Sequence, residues 1–172
     1  MAVEKGCDMT KIEKTAVVET GAIIGEDCYI GHFTLVRSGT IIGNNTQIRS
    51  HCYIGEGVLI GNNVMIRPFS DICLGTTIQD NVFIGMNCIT TNTRKIAYLR
   101  PYKDICEAPI FKYGCRVGAR VTILPGVIVG ENSLIGAGSV LTKNSKSKGV
   151  YIGSPAIYIR DVEEDEIIWI LD

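Results

Sequence analysis

The chain has 172 residues, 46% of them hydrophobic, and a formal net charge of −1, which is enough for one sizeable core. No basic domain stands out, so we exclude nucleic acid as a partner, and the apolar runs are too short for a membrane span. Seven cysteines occur without a C-x-x-C pair, and the first eleven residues lack an apolar signal core. We therefore expect reduced thiols and a cytoplasmic protein.

A six-residue repeat follows an N-terminal flank of residues 1–11. An aliphatic residue stands at every sixth position from Ile12 to Ile84, and a small or slim residue follows four positions after each one. The same rule returns from Phe111 to Ser145, which makes nineteen hexads. A period of six fits neither a helix nor a simple strand, and it predicts a solenoid of short strands and turns over residues 12–146.

Glycine recurs at every third hexad, at positions 21, 39, 57 and 75. Three hexads therefore make one coil of eighteen residues, and glycine marks one corner of a three-sided prism where the backbone needs a positive φ. A second corner reads GED, GNN, GNN and QDN at 25–27, 43–45, 61–63 and 79–81, which is polar turn chemistry. We expect an all-β prism of about six coils, roughly 30 Å long.

The third corner carries bulky residues where the other two are small. Its turns read GHF, RSH, RPF and GMN at 31–33, 49–51, 67–69 and 85–87. Both histidines of the chain lie here on adjacent coils, and His51, Phe69 and Asn87 are predicted to stack along the axis. Packing against a neighbouring subunit is one interpretation. We favour a functional site because histidine titrates near neutral pH.

The repeat breaks once, at a loop of residues 90–110. The next hexad, FKYGCR, again has glycine in its fourth position, so we expect the loop to leave from the histidine corner and the corner pattern to resume in phase. Long loops are usually functional, although an ornament without function is the alternative. Residues 94–120 hold seven basic and two acidic side chains, a net charge of +5, which suits an anionic ligand such as a phosphorylated carrier.

The last coil reads VGARVTILPGVIVGENSLIGAGSVLTKN at 117–144, and residues 147–172 follow as a C-terminal extension that contains YIGSPAIYIR at 151–160. The end of the chain, RDVEEDEIIWILD, predicts a short helix. Its acidic start favours the helix dipole, and its apolar face would lie around Ile167, Trp169 and Ile170.

Together these features resemble the hexapeptide-repeat acyltransferases, whose fold is a left-handed parallel β-helix, over nearly the whole chain. Residues 117–160 look like the end of the acyl-CoA-dependent members, in which the pantetheine arm lies along the prism between two subunits. The resemblance implies acetyl-CoA as acyl donor, with contacts at Gly118, Ala119, Ala137, Gly138 and Lys143. Ile157 stands where the family often has Arg or Lys, which removes one expected phosphate contact.

Within this family, FIGMNCITTN and the loop length resemble the nucleotide-sugar N-acyltransferases of surface-polysaccharide synthesis. Those enzymes carry a T-N pair where Thr91 and Asn92 stand and an H-F pair where His32 and Phe33 stand. Galactoside and maltose O-acetyltransferases usually place a catalytic histidine in the loop, and this loop has none. We therefore expect acylation of the amine of a nucleotide sugar, with an O-acetyltransferase as the alternative.

Acyl transfer to an amine needs close positioning, a donor for the developing oxyanion and a path for the proton. His51 or His32 could serve as base, and Asn92 could orient the acceptor, although an amine is already nucleophilic and positioning could dominate. The candidate substrate contacts are Phe33, Phe69, Asn87, Thr91, Arg94 and Tyr98. Because the bulky corner and the loop would leave apolar surface on a lone prism, we expect a homotrimer with its sites between subunits.

Two other classes share a prism of this kind. A γ-class carbonic anhydrase needs three histidine ligands for zinc, which a chain with two histidines does not supply, and we expect no metal. A purely structural hexapeptide protein would need neither the loop nor the histidine corner.

Overall fold

A computed structural model describes residues 9–96, 99 and 106–168. These residues form twenty strands of two residues each, two longer strands and a single 3₁₀ turn. In chain order the strands are β1 (Lys11–Ile12), β2 (Val17–Val18), β3 (Ile23–Ile24), β4 (Tyr29–Ile30), β5 (Leu35–Val36), β6 (Ile41–Ile42), β7 (Gln47–Ile48), β8 (Tyr53–Ile54), β9 (Leu59–Ile60), β10 (Met65–Ile66), β11 (Asp71–Ile72), β12 (Thr77–Ile78), β13 (Phe83–Ile84), β14 (Ile89–Thr90), β15 (Ile110–Phe111), β16 (Arg116–Val117), β17 (Thr122–Ile123), β18 (Ile128–Val129), β19 (Leu134–Ile135), β20 (Val140–Leu141), β21 (Gly149–Gly153) and β22 (Ala156–Asp161).

Three parallel sheets form the sides of the predicted prism. Sheet A has the order β1-β4-β7-β10-β13-β16-β19-β21-β22, sheet B runs β2-β5-β8-β11-β14-β17-β20, and sheet C runs β18-β15-β12-β9-β6-β3. Before the loop each strand pairs with the strand eighteen residues further on, as Lys11 does with Tyr29. The expected coil length is therefore confirmed, and every strand pair in the three sheets is parallel except β21 with β22.

The second residue of each strand points into the prism and forms the core. Ile30, Ile54 and Ile72 have no exposed surface, and a buried aliphatic side chain of this size stabilises the fold by about 1.5–3 kcal/mol. Because a two-residue strand cannot bury this face alone, each coil depends on its neighbours.

The slim residues at the corners connect successive coils through hydrogen bonds. The hydroxyl of Thr40 donates to the carbonyl oxygen of Gly55 at 2.9 Å, and the thiol of Cys88 donates to that of Gly118 at 3.1 Å. Such a bond contributes about 1 kcal/mol net, and it satisfies a carbonyl that faces the core. The cysteines at these positions are free and buried, as expected for reduced packing residues.

The prism has three edges, which we name by the sheets that they join. At the A–B edge, positive φ angles occur at Phe33, His51, Phe69, Asn87, Arg120 and Gly138. At the B–C edge they occur at Gly21, Gly39, Gly57, Gly75 and Gly126, and at the C–A edge at Asp27, Asn45, Asn63, Asn81, Gly114, Asn132 and Lys148. The histidine corner of the sequence is therefore the A–B edge.

The loop leaves from a different edge than the sequence predicted. It connects β14 of sheet B to β15 of sheet C, so it starts and ends at the B–C edge and not at the histidine edge. Gly114, which suggested a return in phase, lies at the C–A edge, where its N–H donates to the carbonyl of Asp80. The strand offset rises from 18 to 33 across the loop, so fifteen residues are inserted.

The C-terminal extension contains less helix than the sequence predicted. Strands β21 and β22 form an antiparallel hairpin at the end of sheet A, and only Glu164–Glu166 forms a 3₁₀ turn. Ile167 is buried with Val150 and Val162 in a small cluster, whereas Trp169 and Ile170 lie outside the described residues. Among those described, no helix is long and apolar enough to cross a bilayer.

Candidate functional site

Three aromatic rings stack along the A–B edge. The ring centroids of Phe33 and His51 lie 5.0 Å apart, and those of His51 and Phe69 lie 4.9 Å apart with an interplanar angle of 10°. Their spacing matches the distance between coils, because all three residues occupy the same positive-φ position of the turn. The predicted stacking of His51 on Phe69 is confirmed, and Asn87 continues the column one coil further on.

The stack costs backbone strain and exposes apolar surface. Phe33 and Phe69 are 61% and 57% exposed, and bulky residues rarely adopt a positive φ. Strained residues of this kind concentrate at ligand sites and interfaces. The A–B edge is therefore the candidate for a ligand site or an interface.

His32 lies beside the stack and contacts the first coil through both of its ring nitrogens. Its Nδ1 is 2.8 Å from Thr15 Oγ1, and its Nε2 is 3.4 Å from a carboxylate oxygen of Glu13. The ammonium of Lys11, at 2.7 Å, lowers the pKa of Glu13, and the hydroxyl of Tyr29 also donates to it. To act as a base, His32 would first have to break one of these contacts. The described residues provide no hydrogen-bond partner to the ring of His51. Its ring nitrogens are therefore more available than those of His32.

Beyond the stack, the side chains at one turn position of the A–B edge become shorter. The residue before the positive-φ position is Met86 on one coil, then Ala119, then Ala137. A cavity of about 410 Å³ opens where the side chains shorten, lined by Phe69, Met86, Asn87, Ala119 and Arg120. A second cavity of about 270 Å³ follows on the side of sheet A, lined by Phe83, Arg116, Val117, Gly118, Leu134, Ile135, Gly136 and Ala137.

Glycine lets the turns of this region approach each other. A Cβ on Gly118 would lie 2.6 Å from the backbone nitrogen of Ala137, and one on Gly85 would lie 2.6 Å from that of Ala119. These distances are shorter than real Cβ contacts, so any other residue would push the coils apart. Tight turns with short side chains leave room along the edge for an extended ligand.

The structure brings together four of the five expected coenzyme contacts. Gly118, Ala119, Ala137 and Gly138 lie on two successive turns of the A–B edge, beside the two cavities. Lys143 follows β20 and is exposed at the B–C edge, so within one chain it belongs to a different edge. A larger cavity, of about 560 Å³, lies at the N-terminal end around Met9 and Asp27 and contains none of the predicted site residues.

The loop residues form a separate group at the B–C edge. The amide nitrogen of the Asn92 side chain donates to the carbonyl of Leu74 at 3.4 Å, and Thr91 Oγ1 donates to that of Ile123. Arg94 pairs with Glu107 at 2.6 Å, and the N–H of Glu107 donates to the backbone of Asn92. Tyr98 lies outside the described residues. Sheet B separates this group from His51, so one chain does not bring the two halves of the predicted site together.

The sequence did not single out Arg120 as a site residue, although its position carries a signal. Counting eighteen residues per coil and fifteen for the insertion places Arg120 in the same column as His51, Phe69 and Asn87. Its guanidinium is exposed beside the cavity. Two other cations of the basic segment have acidic partners: Arg94 contacts Glu107, and Arg116 lies 3.7 Å from Glu166.

The repeat and the three-sided coil define a hexapeptide-repeat β-helix. The family model for the bacterial transferase hexapeptide (six repeats) matches residues 39–72 and 114–143, and that for the hexapeptide repeat of succinyl-transferase matches residues 21–50. This fold implies the left-handed coil that the resemblance predicted.

Galactoside O-acetyltransferase of Escherichia coli is 44% identical over 48 residues, which are 28% of this chain and 24% of that protein. The chain thus spans about a quarter of the length of the curated relatives that it matches. Among solved structures, AntD, an N-acyltransferase from Bacillus cereus in complex with dTDP and coenzyme A, aligns with a TM-score of 0.68 at 20% identity, covering 87% of this chain and 85% of AntD. Perosamine N-acetyltransferase from Caulobacter crescentus, in complex with CoA and GDP-perosamine, aligns with a TM-score of 0.55 at 18% identity, covering 89% and 57%. At these identities the likeness concerns the fold.

Proposed function

We propose that this chain is an acyl-CoA-dependent acetyltransferase that acts on the amine of a nucleotide-linked sugar. The observation that carries the proposal is the change of side-chain size along the A–B edge. Aromatic rings occupy the positive-φ position on three coils. One position earlier in the turn, the side chain shortens from Met86 to Ala119 and Ala137, and two cavities with apolar linings open there. Solved relatives with this fold contain coenzyme A together with a nucleotide or a nucleotide sugar, which supports this combination of substrates.

In this proposal the pantetheine arm lies over Ala137 and Ala119, and the thioester ends in the cavity beside Phe69. Arg120 and Asn87 are the polar side chains of that cavity. Either can donate an N–H to the carbonyl oxygen as its negative charge develops, and such donors contribute most in a site that excludes water. Phe69, Met86 and Ala119 give this cavity an apolar lining, and in the proposal the bound substrates and a neighbouring copy cover its open side.

The transfer is a nucleophilic substitution at the thioester carbonyl. The acceptor nitrogen attacks the carbonyl carbon, the carbon–sulfur bond breaks, and coenzyme A leaves as a thiolate. The proton lost from the nitrogen goes to His51 or to the departing sulfur. Because an amine is a good nucleophile, holding it close to the thioester supplies much of the acceleration.

A second copy of the chain completes the site in this proposal. Asn92, Thr91 and Arg94 lie at the B–C edge, across sheet B from His51. In a homotrimer the B–C edge of one copy can face the A–B edge of the next, so that the amide and the imidazole meet at one acceptor. The exposed aromatic stack gives this edge the apolar surface that such an interface needs.

The test is to incubate the protein with acetyl-CoA and a panel of UDP-, dTDP- and GDP-linked amino sugars, and to analyse the products by mass spectrometry. We expect one acceptor to gain one acetyl group in an amide linkage, with one free thiol released per product. If the protein binds no acyl-CoA and acetylates no member of the panel, the proposal is wrong.

Transfer to a hydroxyl is the second candidate, because the matched segment of Escherichia coli galactoside O-acetyltransferase is 44% identical. Sugars without an amine therefore belong in the same panel. Hydroxylamine cleaves an ester product and leaves an amide intact, so one treatment distinguishes the two functions.

A further inference from the structure

Asp71 is unusual among the outward-facing residues of the prism. The first residue of each two-residue strand points outward, and of these twenty positions only Lys11, Asp71 and Arg116 are charged. Asp71 is the one acidic residue among them. The outward column of sheet B is otherwise apolar or neutral, with Val17, Leu35, Tyr53, Ile89, Thr122 and Val140.

The neighbours of Asp71 in the sheet are apolar and partly exposed. In the parallel register it lies between Tyr53 and Ile89, which are 36% and 44% exposed. This environment removes part of the water from the carboxyl group, and burial raises its pKa. The carboxyl group of Asp71 is itself exposed, so a charged or polar ligand can reach it.

No charged partner exists for Asp71 within the described residues. Three other carboxylates near sheets A and B are held by cations: Glu13 contacts Lys11, Glu19 contacts Arg37, and Glu107 contacts Arg94. The carboxylate of Asp71 has neither an ion pair nor a hydrogen bond there. It is available to a ligand or to another subunit.

The position of Asp71 relates it to both halves of the candidate site. It follows Phe69 of the A–B edge by two residues, and Leu74, whose carbonyl accepts the Asn92 amide, comes three residues later. Asp71 therefore lies on the face that connects the aromatic stack to the loop group. A ligand that bridges the two edges has to cross this face.

We propose that Asp71 binds the amino group of the acceptor and so selects an amine over a hydroxyl. This inference rests on the proposed function. A carboxylate attracts the ammonium form and accepts two N–H bonds from the neutral amine, whereas a hydroxyl offers one hydrogen and no charge. The ammonium form loses one proton before the reaction. The neutral amine then donates its two N–H groups to the carboxylate, and its single lone pair points to the thioester.

The experiment compares Asp71→Asn with Glu56→Gln, a control that removes one exposed negative charge from the neighbouring B–C edge. Each variant is assayed with the amino sugar nucleotide that the wild-type protein acetylates and with its analogue carrying a hydroxyl in place of the amine. We expect Asp71→Asn to raise KM for the amine about tenfold to a hundredfold, which is the range for losing one charged hydrogen bond. KM or Ki for the hydroxyl analogue should stay the same, and the control should behave as wild type.

Three results would overturn the inference. If Asp71→Asn leaves KM for the amine unchanged while the wild-type protein is active, the assignment of Asp71 is wrong and the proposed function stands. If Asp71→Asn weakens binding of the amine and of the hydroxyl analogue equally, and sedimentation shows a smaller assembly, Asp71 is a contact between copies and not an acceptor contact. If the wild-type protein acetylates no acceptor, the proposed function fails and this assignment fails with it.

Discussion

The imidazole of His51 lies nearly parallel to the ring of Phe69, with an interplanar angle of 10° and 4.9 Å between centroids. Both faces of the imidazole are covered, since Phe33 stacks on the other side. The ring can therefore reach a reacting group only through its edge, where the two nitrogens lie. Stacking fixes the plane of the imidazole and leaves its nitrogens open at the edge of the ring.

His51→Asn should lower kcat by about 10² to 10⁴, the usual contribution of a general base, without changing the melting temperature. Asparagine is the suitable substitution because it tolerates the positive φ of this position, as Asn87 does one coil further on. Steady-state kinetics and thermal melts on the same preparation provide the measurement. An unchanged kcat would show that positioning alone, or the sulfur of coenzyme A, handles the proton.

Mixing two inactive variants should restore activity if the site lies between copies. We expect His51→Asn and Asn92→Ala each to be inactive alone. Random mixed trimers should then contain sites with an intact His51 from one copy and an intact Asn92 from its neighbour. The variants are mixed under mild denaturant, returned to buffer and assayed, with unmixed samples treated in the same way. No recovery, or a stable monomer in sedimentation at micromolar concentration, would contradict a shared site.

Ala119→Trp should weaken binding of coenzyme A at least tenfold, because the indole would fill the 410 Å³ cavity. Glu131→Trp places the same ring on an exposed position of the C–A edge and serves as the control. Isothermal titration calorimetry with coenzyme A measures both. Equal affinity for the two variants would mean that the ligand does not pass over Ala119.

Ile60→Asp should prevent folding, because the substitution buries an unpaired carboxylate in the core, where Ile60 is only 4% exposed. Ile60→Val is the matched control and should cost about 0.5–1.5 kcal/mol of unfolding free energy. Circular dichroism with chemical denaturation follows both variants. A cooperative transition of Ile60→Asp at the wild-type midpoint would show that this wall is not the core.

The sequence predicted the prism well because each hexad has the same requirement for an inward aliphatic and a slim corner residue. It also predicted the column of His51, Phe69 and Asn87, which depends only on the eighteen-residue coil. The prediction of the edge from which the loop leaves was wrong, and the reason is physical. Glycine and asparagine both adopt a positive φ, so Gly114 fits the C–A edge, next to Asn81 and Asn132, as readily as the glycine edge. Hexad counting gives the position within a hexad and leaves the choice among three edges open.

Contacts between coils were harder to predict. The contacts of His32 with Thr15 and Glu13 join side chains 17 and 19 residues apart, and they depend on rotamers that the repeat does not specify. The same holds for the pairing of the basic segment, where Arg94 and Arg116 are partly neutralised by acidic neighbours. In the described part of the predicted C-terminal helix, β22 continues through Asp161 and Glu164–Glu166 forms a 3₁₀ turn. A helix of so few residues has little stability of its own.

The loop leaves the prism and returns to it at the same edge, and its two ends are joined at the base. The N–H of Glu107 donates to the carbonyl of Asn92 at 2.8 Å, and Thr93 and Cys106 form an antiparallel bridge. The coils on either side therefore keep their positions whatever the number of residues in the loop. Lengthening or shortening the loop should therefore cost little free energy of unfolding, because loop-closure entropy changes slowly with loop length.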